Sequence, residues 1–220
     1  MISYVLLRED ISKVPNPKSG EQYKPKWAES EAVDRKNGNC LQCPLCGAPI
    51  TMKQWMPPRK IKLTKPKYPD YVSYWAGDGI VVSERFKKAY EISGLKGITV
   101  FNPLEVVKVS YMKENSPISP QYYDAIPAVS FAKVDNRKSK IKGYKNEPKC
   151  SLCNPRGKTV STIKGITLDW SGWEGEDIFR LHELGGTYFT TQCFVDFCQH
   201  NEFTNFSFVL SSNYIFGVKE

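Results

Sequence analysis

Two Cys-x-x-Cys pairs constrain this 220-residue chain more than any other feature of its sequence. The first pair is Cys43 and Cys46 within CPLCG, and the second is Cys150 and Cys153 within CSLCN. Each pair can direct two sulfurs at one metal ion, and zinc takes four thiolates in a closed tetrahedral site. We therefore predict that one structural zinc ion joins all four cysteines, with no position left for a catalytic water.

The cysteine count favours metal binding over disulfides but leaves alternatives open. The chain has seven cysteines, an odd number, and its first residues do not read as a secretion signal, so a disulfide framework is not favoured. The alternatives to a shared zinc are two unrelated reduced pairs or a redox pair. Cys40 is interpreted as a spare thiol or an occasional replacement for one of the ligands, whereas Cys193 and Cys198 are predicted to be small core residues of a helix.

The two pairs are 107 residues apart, and the same offset relates other positions of the chain. It superposes Asp70 on Asp177 and Gly79 on Gly186. A shared offset over about 60 positions indicates an internally duplicated module. We predict an α+β fold with short helices packed on antiparallel strands, in which the four-cysteine zinc site joins two halves. The two halves are residues 1–115 and 116–220, and together they are expected to form one compact pseudo-two-fold unit.

Each copy is predicted to contain a short helix after an apolar strand. The first helix is expected over 84–93, because Ser83 is a suitable N-cap and Gly94 is a suitable stop. A strand over about 98–101 is expected to follow it. The second helix is expected over about 191–200. The inward residues of the first helix are expected to be Phe86, Ala89, Tyr90 and Ile92.

The positive charge of the chain is local. The formal net charge is +8, and cations cluster from Lys53 to Lys67 and from Lys133 to Lys149. Such clusters can contact phosphates or an acidic protein surface, although each also fits an ordinary solvated loop. The candidate partner-binding residues are Arg59, Lys60, Lys62, Arg137, Lys138 and Lys140.

The sequence lacks the motifs of the common catalytic classes. It has neither a phosphate-binding or dinucleotide-binding glycine motif nor a nucleophile elbow. The only two histidines, His182 and His200, belong to no metal-ligand pattern, and each is expected to be a satisfied structural residue. No apolar run approaches the roughly 20 residues that a membrane span needs. A cytoplasmic protein that is not an enzyme is therefore expected.

Several segments of the sequence resemble those of a known bacterial family. They are CPLCG, CSLCN, DGIVVSERFKKAYEISGLKGITVFNPLEV, and WSGWEGEDIFRL followed by GGTYFTTQCFVDF. Over about residues 40–215 the chain looks like the double-CXXCG motif proteins. The segment GIVVSERFKKAYEISGLKG is also similar to one found in polymorphic-toxin immunity proteins. The sequence departs from the family pattern at Asn154, where the motif has glycine.

The resemblance implies a cytoplasmic immunity protein that protects its producer from a toxin delivered between neighbouring cells. We therefore expect a cognate toxin protein as the partner. The chain would cover the active surface of the toxin stoichiometrically, while zinc holds the scaffold rigid. The alternative, drawn from the charge of +8 and the basic loops beside aromatic residues, is a zinc-ribbon-type nucleic-acid-binding protein whose affinity falls steeply with salt.

Overall fold

The computed structural model describes residues 1–7, 28–74, 79–110, 120–143, 150, 160–184 and 186–217 of the chain. The first strands are β1 (Ser3–Leu7), β2 (Glu29–Val33), β3 (Lys36–Asn37), β4 (Trp55–Met56), β5 (Lys60–Leu63), β6 (Tyr71–Tyr74), β7 (Ile80–Ser83) and β8 (Ile98–Val109). The later strands are β9 (Tyr122–Ser130), β10 (Lys133–Val134), β11 (Ile141–Gly143), β12 (Val160–Lys164), β13 (Leu168–Asp169), β14 (Ile178–Leu181), β15 (Tyr188–Thr191), β16 (Ser207–Leu210) and β17 (Ile215–Phe216). The α-helices of these described ranges are α1 (Glu84–Ser93), after β7, and α2 (Gln192–His200), after β15.

Six strands close into a β-barrel. The order around the ring is β9-β7-β6-β2-β5-β8, and β8 closes it by pairing with β9. On β5, Ile61 and Leu63 are fully buried while Lys60 and Lys62 alternate with them on the outer face, as the two-residue period of a strand requires. The cluster that fills the barrel consists of Ala28, Trp55, Ile61, Leu63, Val72, Val81, Leu104 and Tyr122.

The sheet continues beyond the barrel through β9. The last residues of β9 pair in parallel with β14, and β15, β1 and β16 follow in that order. A second apolar cluster packs on this extension and includes Phe179, Leu181 and Phe189. Because β9 belongs to both the barrel and the extension, it ties the two parts into one sheet.

The predicted α+β fold, with short helices packed on antiparallel strands, is wrong. The chain is mostly β and contains a closed six-stranded barrel. Among the described strands, three neighbouring pairs are parallel rather than antiparallel, namely β2–β6, β5–β8 and β9–β14. The strand expected over 98–101 runs on to Val109, because β-branched residues continue through Val106 and Val107 and favour extended backbone. That extra length lets β8 pair with both β5 and β9 and close the barrel.

The first helix has the predicted bounds. Ser83 is its N-cap, and the Ser83 hydroxyl accepts a hydrogen bond from the backbone N–H of Phe86 at 3.2 Å. Gly94 ends the helix in the left-handed conformation, with φ at 76°. Phe86 and Tyr90 are buried as expected, but Ile92 is 87% exposed. Two residues turn a helix through about 200°, which places Ile92 on the opposite face from Tyr90.

The second helix starts one residue later than expected, because Thr191 is its N-cap. Cys198 is buried in the same apolar cluster as Phe86 and Phe194. Cys193 is exposed, so the prediction that it is a core residue is wrong. Five residues advance a helix by about 500°, which separates the faces of these two cysteines by about 140°.

The same contact is made at Asp70 and at Asp177. The Ser83 hydroxyl donates to Asp70 Oδ1 at 2.7 Å, and the Thr191 hydroxyl donates to Asp177 Oδ1 at 2.7 Å. In both places the carboxylate therefore fixes the hydroxyl residue that precedes a helix. The two aspartates are the residues that the 107-residue offset superposes in the sequence.

Each of these carboxylates also reaches across to the segment that follows the other helix. Asp70 Oδ2 accepts from the backbone N–H of Thr204, after α2, at 2.9 Å. Asp177 Oδ2 accepts from the backbone N–H of Lys96, after α1, at 3.0 Å. The two helix-bearing segments are thus joined by a reciprocal pair of charged hydrogen bonds.

The division of the chain into halves remains a prediction. The boundary between 115 and 116 lies outside the described residues. β1, at the start of the first half, pairs with β15 and β16 of the second. None of the helices described is long and apolar enough to cross a membrane.

Candidate metal centre

Residues 36–56 form a hairpin, named here the knuckle hairpin, whose tip carries the first cysteine pair. Its base is the antiparallel β3–β4 pair, and backbone hydrogen bonds extend from there to a bridge between Gln42 and Pro49. At the tip, the N–H of Gly47 donates to the carbonyl of Cys43 at 2.8 Å. Gly47 has a φ of 70°, a left-handed conformation that glycine adopts without a steric penalty.

Cys150 approaches this tip from a distant part of the chain. The Sγ atoms of Cys43, Cys46 and Cys150 all lie within 4.8 Å of one another. Cys43 and Cys150 are 2% and 6% exposed, and Ala48 and Ile50 pack against them, whereas Cys46 is exposed. Three cysteines of the predicted set are therefore close enough together to bind a metal ion.

The distance between the two buried sulfurs can be compared with the geometry of a zinc site. Cys43 Sγ lies 3.7 Å from Cys150 Sγ. A tetrahedron with Zn–S bonds of about 2.3 Å has sulfur–sulfur edges of about 3.8 Å. The donor set, all thiol sulfur, is also the one that zinc prefers in structural sites. These residues fit a zinc ion without rearrangement of the two buried side chains.

The other cysteines near the site are placed differently. Cys153, the fourth predicted ligand, lies outside the described residues. Cys40, on the knuckle hairpin, is partly exposed and does not belong to the group of three close sulfurs.

The candidate partner-binding cations lie on two separate parts of the fold. Lys60 and Lys62 are half-buried on β5, on the outer side of the barrel, and Lys62 Nζ lies 3.8 Å from a Glu31 oxygen. Arg59 is half-buried just before β5. The remaining three, in the turn after β10 and just beyond it, are exposed: Arg137, Lys138 and Lys140.

Asp70 is a buried carboxylate that accepts hydrogen bonds from Ser83, Arg85 and Thr204. Arg85 donates from Nε to Oδ1 at 3.0 Å and from Nη2 to Oδ2 at 2.6 Å. Burial opposes ionisation of Asp70, but the hydrogen bonds from Arg85, Thr204 and Ser83 outweigh it and lower the pKa of the carboxyl. The sequence signal for this group was its match with Asp177 across the duplication.

His182 is not the satisfied structural histidine that the sequence suggested. Both of its ring nitrogens are buried and have no hydrogen-bond partner, and the ring packs against Phe131 with 5.6 Å between centroids. Desolvation lowers the pKa of the imidazole, and Arg180 adds to this effect while Glu183 opposes it. A neutral ring in this place leaves two polar atoms uncompensated.

Neither the comparison with protein-family models nor the comparison with curated proteins found a match for this chain.

Proposed function

We propose that the chain binds one structural zinc ion through Cys43, Cys46, Cys150 and Cys153. The proposal is supported by the clustering of the first three sulfurs and by the 3.7 Å distance between the two buried ones. A fourth thiolate completes a closed tetrahedral site, and Cys153 follows Cys150 at the spacing that Cys46 has from Cys43. The ion supplies a cross-link between the knuckle hairpin and a segment 107 residues away.

On this scaffold we propose an immunity protein that binds and neutralises a cognate bacterial toxin in the cytoplasm. A closed zinc site performs no reaction at the metal, so its contribution is to hold surface groups in place for binding. The motifs that resemble double-CXXCG proteins lie on this framework, because the first Cys pair forms the hairpin tip and the GIVVSERFKKAYEISG segment forms β7 and α1. The clustered cysteines carry this proposal, because they make a rigid scaffold rather than a reaction centre.

Co-expression with the protein encoded by the neighbouring gene tests the proposed function. If that protein arrests growth, we expect this chain to restore growth and to co-purify with it in a one-to-one complex. The Cys43→Ser/Cys150→Ser variant should lose protection when zinc binding is lost, while the exposed Cys193→Ser control should protect fully. A toxic neighbour that this chain neither binds nor neutralises would contradict the proposal.

The second candidate, a zinc-ribbon-type nucleic-acid-binding protein, is favoured by the formal net charge of +8 and by the cationic clusters of the sequence. Nucleic-acid binding predicts an affinity for DNA or RNA that falls steeply with salt, because bound cations are released from the phosphates. Single-stranded binding also uses exposed aromatic side chains for stacking. On the knuckle hairpin the one aromatic residue, Trp55, is 4% exposed and belongs to the barrel core, which favours a protein partner instead.

A further inference from the structure

The knuckle hairpin exposes a concentration of large apolar side chains. Single exposed apolar residues are common on protein surfaces, but a concentration on one short element marks an interaction surface. Cys43 and Ile50 pack inward at the metal centre and Trp55 packs into the barrel, and the exposed side chains belong to neither of these two clusters. The exposed side chains belong to Leu41, Leu45, Met52 and Met56, and each of these residues keeps between 41% and 64% of its surface accessible to solvent.

The longer segment that contains the knuckle hairpin, residues 35–69, is rich in cations. No acidic residue occurs between Asp34 and Asp70, whereas eight of the 31 cationic residues do. The remaining 23 cations equal the 23 acidic residues of the rest of the chain, so residues 35–69 carry the full formal charge of +8. Two of these cations, Lys36 and Lys53, lie on the knuckle hairpin itself, which contains no acidic residue, so a partner of the hairpin meets positive side chains without a neighbouring carboxylate on the same element.

Cations and apolar side chains are neighbours on the hairpin. Lys36 lies opposite Met56 in the β3–β4 pair, and the exposed Lys53 follows Met52 directly. Arg35 Nη2 donates to the carbonyl of Lys53 at 3.1 Å, which holds the two arms of the hairpin together at that level. The surface thus combines apolar contact area with a positive rim, the arrangement of protein interfaces that are steered by charge.

We propose that the knuckle hairpin is a docking surface for a protein whose contact face is apolar at its centre and acidic at its rim. The proposal rests on the proposed function, since it names the surface and the chemistry by which a toxin would be held. Leucine and methionine offer adaptable apolar contact but no stacking platform, which favours a protein over a nucleic acid. A second copy of the chain is disfavoured, because a two-fold contact would oppose two cationic rims.

The first experiment uses the full-length zinc-loaded chain and a synthetic 20-residue peptide of leucine and glutamate. We expect the peptide to protect amides of residues 36–56 from hydrogen exchange, and a leucine–lysine peptide of the same length to protect none of them. Leu45→Ser and Lys53→Glu should each weaken peptide binding about tenfold, as for residues central to an interface. The matched controls on α1, Ile92→Ser and Lys88→Glu, should stay within twofold, because those side chains are 87% and 70% exposed there.

The same variants are then measured against the protein encoded by the neighbouring gene. If the wild-type chain binds that protein and the two hairpin variants lose about tenfold, the inference is supported. If the hairpin variants bind it like the wild type, the inference is overturned while the proposed function stands. If the wild-type chain binds the acidic peptide at the hairpin but not the neighbouring protein, the proposed function fails and the inference is retained. Equal protection by the lysine peptide, tighter binding of oligothymidine, or self-association through the hairpin would each overturn the inference.

Discussion

Zinc binding should depend on the folded core, and the size of this dependence follows from the chain length between the two cysteine pairs. In an unfolded chain, one ion that joins both pairs must close a loop of 107 residues. The entropic cost of this closure, (3/2)RT ln n, is about 4 kcal/mol. The folded barrel already holds the base of the knuckle hairpin in place, and in the folded structure the sulfurs of Cys43 and Cys150 lie 3.7 Å apart, so the closure cost in the folded chain is much smaller. By linkage, zinc should raise the free energy of unfolding by up to about 4 kcal/mol.

Urea unfolding with one equivalent of zinc, compared with unfolding in a strong chelator, measures this difference. For a slope of about 2.5 kcal/mol per molar urea, the midpoint should move by roughly 1.5 M. Cys150→Ser should lose most of the zinc-dependent shift, because it removes a ligand on the far side of the loop. Cys193→Ser, an exposed cysteine on α2, should keep the whole shift. A zinc-dependent shift that survives in Cys150→Ser, or a wild-type chain that takes up no zinc, would refute the reasoning.

Three further predictions concern the core. Asp70→Asn should lower the free energy of unfolding by roughly 2 kcal/mol in urea titrations at pH 7, because Arg85 and Ser83 lose a charged partner. Folding lowers the pKa of Asp70, so the ionised carboxylate contributes fully to the free energy of unfolding at pH values above its ordinary pKa of 3.8. This contribution is lost as the pH falls through the pKa that Asp70 has in the folded chain, and only the wild type should show that loss. His182→Phe removes two buried unpartnered nitrogens and should raise the free energy of unfolding by about 1 kcal/mol at pH 7. Because folding lowers the pKa of His182, the imidazole of the unfolded wild type is protonated below about pH 6.5 while the folded one stays neutral, which destabilises the wild type as the pH falls. Calorimetric melting should show less of this acid destabilisation in His182→Phe. Gly97→Ala should cost at least about 3 kcal/mol in the same titrations, because a Cβ at φ 116° overlaps the Ile178 carbonyl, whereas Gly94→Ala, with open space around it, should cost about 1 kcal/mol.

The sequence predicted those features of the fold that depend on neighbouring residues, namely the ends of a helix and the turn at a cysteine pair. The N-cap at Ser83 and the glycine at Gly94 gave both ends of α1, because each acts on its own neighbouring backbone. The turn at Gly47 was likewise predictable from the need for a positive φ after a Cys-x-x-Cys pair. The proximity of Cys150 to this turn followed only from chemistry, since a thiol-rich metal site needs ligands from elsewhere in the chain.

The barrel was not predictable in this way, because it depends on pairings between distant residues. Its closure joins Leu104 of β8 to Tyr122 of β9, and its parallel pairs bring together strands that are far apart in sequence. Several strands are only two to four residues long, too short for an alternation pattern to reveal them. The burial of Trp55 shows the same limit, since nothing local distinguishes this side chain from the exposed Met56 that follows it.

The distribution of apolar contacts indicates which part of the molecule depends on the metal. The barrel core, the extension core and the aromatic cluster around Phe86 each contain eight or more buried residues. Among the described residues, the cluster at the metal centre contains two, Cys43 and Cys150, with Ala48 and Ile50 packed against them. This described part of the cluster buries little apolar surface, so we expect a bound ion to supply much of the order of the hairpin tip. Loss of zinc should therefore loosen the knuckle hairpin while the barrel and the reciprocal Asp70 and Asp177 contacts persist, so the proposed docking surface would be the first part of the molecule to respond to metal availability.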